Sequence, residues 1–159
     1  MPSTDLFQAV IAQLAATPAV VTAFGDTWND GTQSGTSKFF CDFAGQATEP
    51  YLVAYEVGES YQFMTRTAGL SLADYLANGQ MAIRIWQSDR QQARAMGVLV
   101  AAALNDQEAA ITWTGGTLMS LRMSQALFVP IGAPGPGVPT VFNRLLVFDY
   151  EYSSSITEP

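Results

Sequence analysis

Residues 80–104, QMAIRIWQSDRQQARAMGVLVAAAL, pass from an alternating strand into an amphipathic helix with no loop between them. Met81, Ile83 and Ile85 alternate with Ala82, Arg84 and Trp86, the two-residue period of a strand with two distinct faces. From Ala93 the period changes. Ala93, Met96, Gly97, Val100 and Leu104 fall on one helical stripe. Ser88 and Gln91 have the S-x-x-Q spacing of a capping box, which predicts the helix start, and Asp89 sits where the helix dipole favours a carboxylate. Such a unit must bury a strand face and a helix stripe together, which predicts a sheet with helices laid on it. Ala93 and Gly97 are small enough for close approach.

The other segments fit that plan. Leu6, Phe7, Val10, Ile11 and Leu14 form one stripe of a first helix, capped by Ser3 or Thr4 and running to about Ala16. Thr17-Pro18 restarts the helix through Val20, Val21 and Phe24, and Gly25 closes it. Residues 26–37 read as a polar loop, 38–43 as a short strand and 50–56 as a better one led by Pro50. Residues 57–79 give a strand or projecting arm around Tyr61 and Phe63, then a short helix at 71–77 ended by Asn78-Gly79. Beyond Asn105, strands at 111–114 and 117–124 flank a Gly115-Gly116 turn. Residues 129–139 contain four prolines and read as an exposed loop, and 141–152 as a long terminal strand. The expected fold is α+β: a mostly antiparallel sheet with two helices packed on one face and projecting loops. It forms one domain over 1–159, with 57–78 and 129–139 as insertions.

Composition removes several functions. The chain has no histidine, the commonest general base and metal ligand. Its net charge of −7, with a single lysine, argues against nucleic-acid affinity, which is mainly electrostatic. The lone Cys41 excludes an intrachain disulfide and lies among Phe39, Phe40 and Phe43, the setting of a buried thiol. No basic leader precedes the first apolar stretch, and no apolar run is long enough to span a membrane, so a cytoplasm-like compartment is expected. Charged residues are 13% of the chain, against roughly 25% in an ordinary soluble domain. Either subunit burial or an uncharged polar surface would explain that.

Candidate chemistry fails on pattern. Ser37 and Lys38 are adjacent on a strand and point apart. Asp149 and Glu151 share a strand face, as an acid/base pair would, but surface charges guarding an edge strand are the commoner fate of such a pair. Asp26, Asn29 and Asp30 before Gly31 lack the alternation of a calcium loop. Gly132, Gly135 and Gly137 alternate with prolines that remove the N–H donors of a phosphate cradle. No cofactor, metal ion or catalytic residue is assigned. Arg90 and Arg94, one helical turn apart, form either a solvated face or a contact with an acidic neighbour.

Five features occur in a particular order. They are Leu14-Ala-Ala-Thr-Pro18, the proline-led strand Pro50-Tyr-Leu-Val53, the strand Ile83-Arg-Ile-Trp86-Gln-Ser-Asp89, the alanine-rich helix from Ala93 to Leu104, and the late strand Arg144-Leu-Leu-Val-Phe148. This order resembles the tail-terminator, or tail-completion, proteins of long-tailed bacteriophages, over most of the chain. The chain departs from them by a longer segment at 57–78 and by the Pro/Gly stretch after Pro130. The resemblance implies a structural virion protein with no catalysis, assembled in the host cytoplasm. It implies a homo-oligomeric ring, most often a hexamer, at the head-proximal end of the tail. The ring would cap the tail tube protein, meet the head–tail connector or adaptor protein, and let DNA pass without specific binding. No membrane partner is implied. Candidate subunit or neck contacts are Tyr61, Phe63, Met64 and Arg66 on the arm, Arg90 and Arg94 on the helix, and Pro130, Ile131, Pro134 and Pro136 on the loop. Three alternatives stay open: a neck adaptor or head-closure protein, a small acidic ligand-binding or carboxylate-dependent enzyme domain, and a regulatory interaction module.

Overall fold

A computed structural model describes residues 5–25, 38–42, 50–66, 72–131 and 141–157. Two N-terminal helices, α1 (Leu6–Ala15) and α2 (Pro18–Phe24), precede a short strand β1 (Phe39–Cys41) and two long ones, β2 (Tyr51–Arg66) and β3 (Leu72–Gln87). Helix α3 (Arg90–Leu104) follows, then a 3-10 turn at Glu108–Ala110, and the long strands β4 (Thr117–Ile131) and β5 (Val141–Thr157). The five strands form one sheet in the order β1-β2-β3-β5-β4, antiparallel except for β1 with β2. The α+β class read from the sequence stands.

The junction from β3 to α3 forms as its pattern dictates, with one shift. The helix cap is Asp89, not Ser88: Asp89 Oδ1 accepts from the backbone N–H of Gln91 at 2.8 Å and of Gln92 at 3.0 Å. A carboxylate is the stronger acceptor at the positive helix end. Ser88 instead donates its N–H and hydroxyl to Gln87 Oε1, as does the N–H of Asp89. Buried Gln87 thus fastens the corner between strand and helix. At α1 the cap is likewise a carboxylate. Asp5 accepts from the N–H of Phe7 at 2.6 Å, while the expected caps, Ser3 and Thr4, lie outside the described residues. Gly25 ends α2 with φ 63°, as its position foretold.

The core joins the helical stripes to the sheet. Leu6, Val10, Ile11 and Leu14 of α1 are buried with Met96, Val100 and Leu104 of α3, and with Leu52, Met81, Ile83, Ile85, Leu146 and Phe148 of the sheet. Each large side chain so buried contributes about 1.5–3 kcal/mol. Gly97 provides the predicted close approach. A Cβ there would meet Arg144 Cγ at 3.0 Å, with Leu146 next. On α1, Phe7 packs edge-on against Tyr150.

Three expectations from sequence are corrected. Of the helix expected at 71–77, the described residues 72–77 are strand instead, hydrogen-bonded to β5 on one side and, from Ala73, to β2 on the other. Leu-Ala-Asp-Tyr-Leu-Ala has helical propensity, but two flanking strands offer a full backbone ladder, and tertiary pairing wins. Residues 111–114 are not a strand: the 3-10 turn at Glu108–Ala110 ends just before them, and they carry only a single Trp113–Gly116 bridge. Residues 129–131 are not loop but the end of β4, paired to Asn143, Phe142 and Val141. Pro130 is tolerated because β4 is an edge strand, whose outer N–H groups need no partner.

Candidate functional site

The strands β2 and β3 extend beyond the region where α1 and α3 pack, and that extension gathers an aromatic surface. Register places Glu59 opposite Gly79, Tyr61 opposite Ala77 and Phe63 opposite Tyr75, with Tyr150 and Tyr152 next across on β5. Glu59 anchors the group. Its carboxylate accepts hydrogen bonds from the hydroxyls of Tyr150 and Tyr152, each at 2.5 Å. Burial, followed by the Glu59 hydrogen bond and charge, pushes both phenols above their ordinary value. The Tyr61 hydroxyl also bonds Glu59, and that bond holds it protonated to higher pH. Gly79 makes room: a Cβ there would lie 2.5 Å from the Tyr150 ring and 2.8 Å from the Gly58 carbonyl. This close approach explains why Asn78-Gly79 sits inside a strand instead of ending a helix.

Ring contacts carry the surface outward. Tyr61 and Phe63 both meet Tyr75, at centroid distances of 5.6 and 5.8 Å, and Tyr75 and Trp113 both meet Tyr152. Yet Tyr61 and Phe63 remain 56% and 64% exposed, and Val57, displaced by a bulge between Glu56 and Gly58, is exposed beside them. Exposed aromatic and apolar residues stand together here, flanked by Glu56 and Glu59, the composition that suits a contact surface. Sequence reasoning named Tyr61 and Phe63 and missed Glu59, Tyr150 and Tyr152. The Glu59-Tyr61-Phe63 alternation was the available signal.

A second surface lies on the outward side of α3. Arg90, Gln91, Arg94, Ala95, Val98 and Leu99 line a groove of about 800 Å³. Val98, among these lining residues, is 63% exposed. The Arg90 guanidinium stacks over the Phe128 ring at 4.9 Å. A third surface is the outer edge of β4, where Met119, Met123, Leu127 and Val129 are exposed. Part of this edge is closed: Met123 donates its N–H to Asn105 Oδ1, and the Leu121 carbonyl accepts from Asp106 N.

The remaining candidates are scattered. Met64 and Arg66 lie in β2 and Pro130 and Ile131 end β4, all with side chains outside the description; Pro134 and Pro136 lie outside the described residues entirely. So do the 26–31 loop and the glycines from Gly132 to Gly137. Asp149 and Glu151 share a side of β5, but β5 is an interior strand of the sheet, not an edge. Asp149 accepts from Gln80 Nε2 at 2.8 Å. The Cys41 thiol is pushed up to about 12 by burial and then by Asp5 and Asp42, which leaves it inert. Among the described residues no cluster of metal-ligating groups occurs, and no single helix is long and apolar enough to cross a membrane. What the structure presents is contact chemistry on three elements.

A family profile described as "Tail completion protein gp17" matches residues 8–130. This chain belongs to the tail completion protein gp17 family. The match runs from α1 through β4, so it covers the β3–α3 unit and the β2 and β3 part of the aromatic surface, and ends before β5. As a tail completion protein, the chain is a structural protein of the phage tail, and its place is the virion. No curated protein matches the sequence. Among solved structures, the chain is similar to one from the "Virion of native gene transfer agent (GTA) particle", at 14% identity and a TM-score of 0.57. The likeness covers 94% of this chain and 95% of that one. At that identity it shows the fold of the tail completion protein.

Proposed function

We propose that this tail completion protein is a tail terminator: a homo-oligomeric ring, in its most common form a hexamer, that caps the tail tube and joins it to the head connector. The observation that carries the reading is the family match over residues 8–130. Exposed Tyr61, Phe63, Val98, Met119 and Leu127 support it, since they give the chain several apolar surfaces to cover. A closed ring needs a heterologous contact, one patch against a different one, and unlike surfaces on one protomer meet that need. The protein works by binding alone, without catalysis or cofactor. A net charge of −7 keeps a DNA conduit non-adhesive by repulsion.

Electron microscopy of particles assembled without this protein tests the reading. Tubes that polymerise past their natural length, with no heads attached, are expected. Tubes of normal length that fail only to join heads would overturn it in favour of a neck adaptor.

A further inference from the structure

We propose that the groove on α3 of one copy receives the Glu59–Phe63 segment of β2 from a second copy. This pairing rests on the ring reading above and names the surfaces that build the ring.

Within one chain the two surfaces cannot meet. Glu59 and Phe63 lie opposite Gly79 and Tyr75 of β3, whereas Gly97, beside Val98, packs on Arg144 and Leu146, opposite Ile85 and Ile83. That separates them by four to ten strand steps, roughly 13–33 Å. A head-to-tail neighbour brings them together, which is the geometry a ring requires.

The two surfaces match in length and in chemistry. Glu59 to Phe63 covers four strand steps, about 13 Å. Arg90 to Val98 covers eight helical steps, about 12 Å. Along the strand the order is acid, then Tyr61, then Phe63, all on one side. Along the helix the order is Arg90, Arg94, then Val98 and Leu99. Laid together, the Glu59 carboxylate faces the arginines and the two rings cover Val98. Glu56, whose charge acts on Tyr61, adds to the acidic end. The arginines are suited to this partner. Arg94 has no ion-pair partner among the described residues, while Arg122 is engaged with Asp106 and Arg84 with Tyr55. Arginine also stacks on aromatic rings, as Arg90 already does on Phe128. With fourteen acids and seven basic residues, the chain offers few cationic sites for an acidic segment, and this groove holds two of them side by side.

Sedimentation of four samples tests the pairing: the wild type, Phe63→Glu, Val98→Lys, and an equimolar mixture of the two variants. Both substitutions fall on exposed side chains, so circular dichroism should show unchanged folding. Each variant alone places a charge against an apolar surface, and its apparent dissociation constant should rise at least about tenfold. Where the two variants alternate, every contact is either wild-type or a new ion pair, so assembly of the mixture should return as an even-numbered alternating ring. Assembly of both single variants at the wild-type concentration would overturn the pairing while leaving the ring intact, and so would a mixture that stays dissociated. A wild type that stays monomeric even with tube protein would instead remove the ring itself.

Discussion

At the scale of single residues, Glu59 organises more of this surface than any other group. One carboxylate takes hydrogen bonds from three tyrosines on two strands, β2 and β5, which do not pair with each other. The consequence is a pH dependence of stability with a definite sign. Tyr150 and Tyr152 hold their protons in the folded chain well above the ordinary value of 10.0, first because they are buried and then because of Glu59. Above about pH 10 the unfolded chain releases these protons while the folded chain keeps them, so unfolding is favoured as pH rises. The stabilisation is complete below that pH and is lost above it. Urea midpoints should therefore be level between about pH 8 and 9 and fall from about pH 10 upward. Glu59→Gln should make that fall shallower without abolishing it, since burial is the larger cause. Midpoints that stay level to about pH 11 would show that these phenols are not held as described.

Elements were legible where local pattern and tertiary need agree. The β3–α3 unit shows this best: alternation at Met81, Ile83 and Ile85, then a helical stripe at Ala93, Met96, Gly97, Val100 and Leu104, all of them buried. Its cap offers a check. Replacing Asp89 with Ala removes two accepted hydrogen bonds from the first turn of α3 and should lower stability by about 1 kcal/mol in denaturant unfolding. Ser88→Ala should cost less, because Ser88 bonds only Gln87 and caps nothing. An equal loss at Ser88 would restore the capping box that the sequence spacing suggested.

Elements were illegible where neighbours distant in sequence decide the backbone. Residues 72–77 carry a helical signature, yet β5 supplies Thr157 through Tyr152 as their ladder from across the chain. Pro130 reads as a loop residue until β4 is known to be an edge. The contact surface divides the same way. Tyr61 and Phe63 were visible as aromatic residues on a projecting segment. Glu59 gains its meaning only from Tyr150 and Tyr152, about ninety residues later in the chain. Val98 was visible as part of a helix, but its place in a groove needs the fold of everything around α3.

The whole molecule is a sheet whose two ends differ in character. One end displays aromatic rings beside carboxylates, and near the other α3 begins with two arginines over an apolar floor. A monomer would leave both open to water. Low charge, at 13% of residues, means that covering these surfaces desolvates few ionised groups, which suits subunit burial. The family supplies the setting, the phage tail, and the surfaces are the means by which the proposed ring would close within it.

The native mass of the purified protein, measured alone and with tail tube protein, tests that account most directly. A discrete closed multiple of the 17.1 kDa chain, six copies in the commonest case, is the predicted result. A particle that stays at the mass of one chain under both conditions would contradict it.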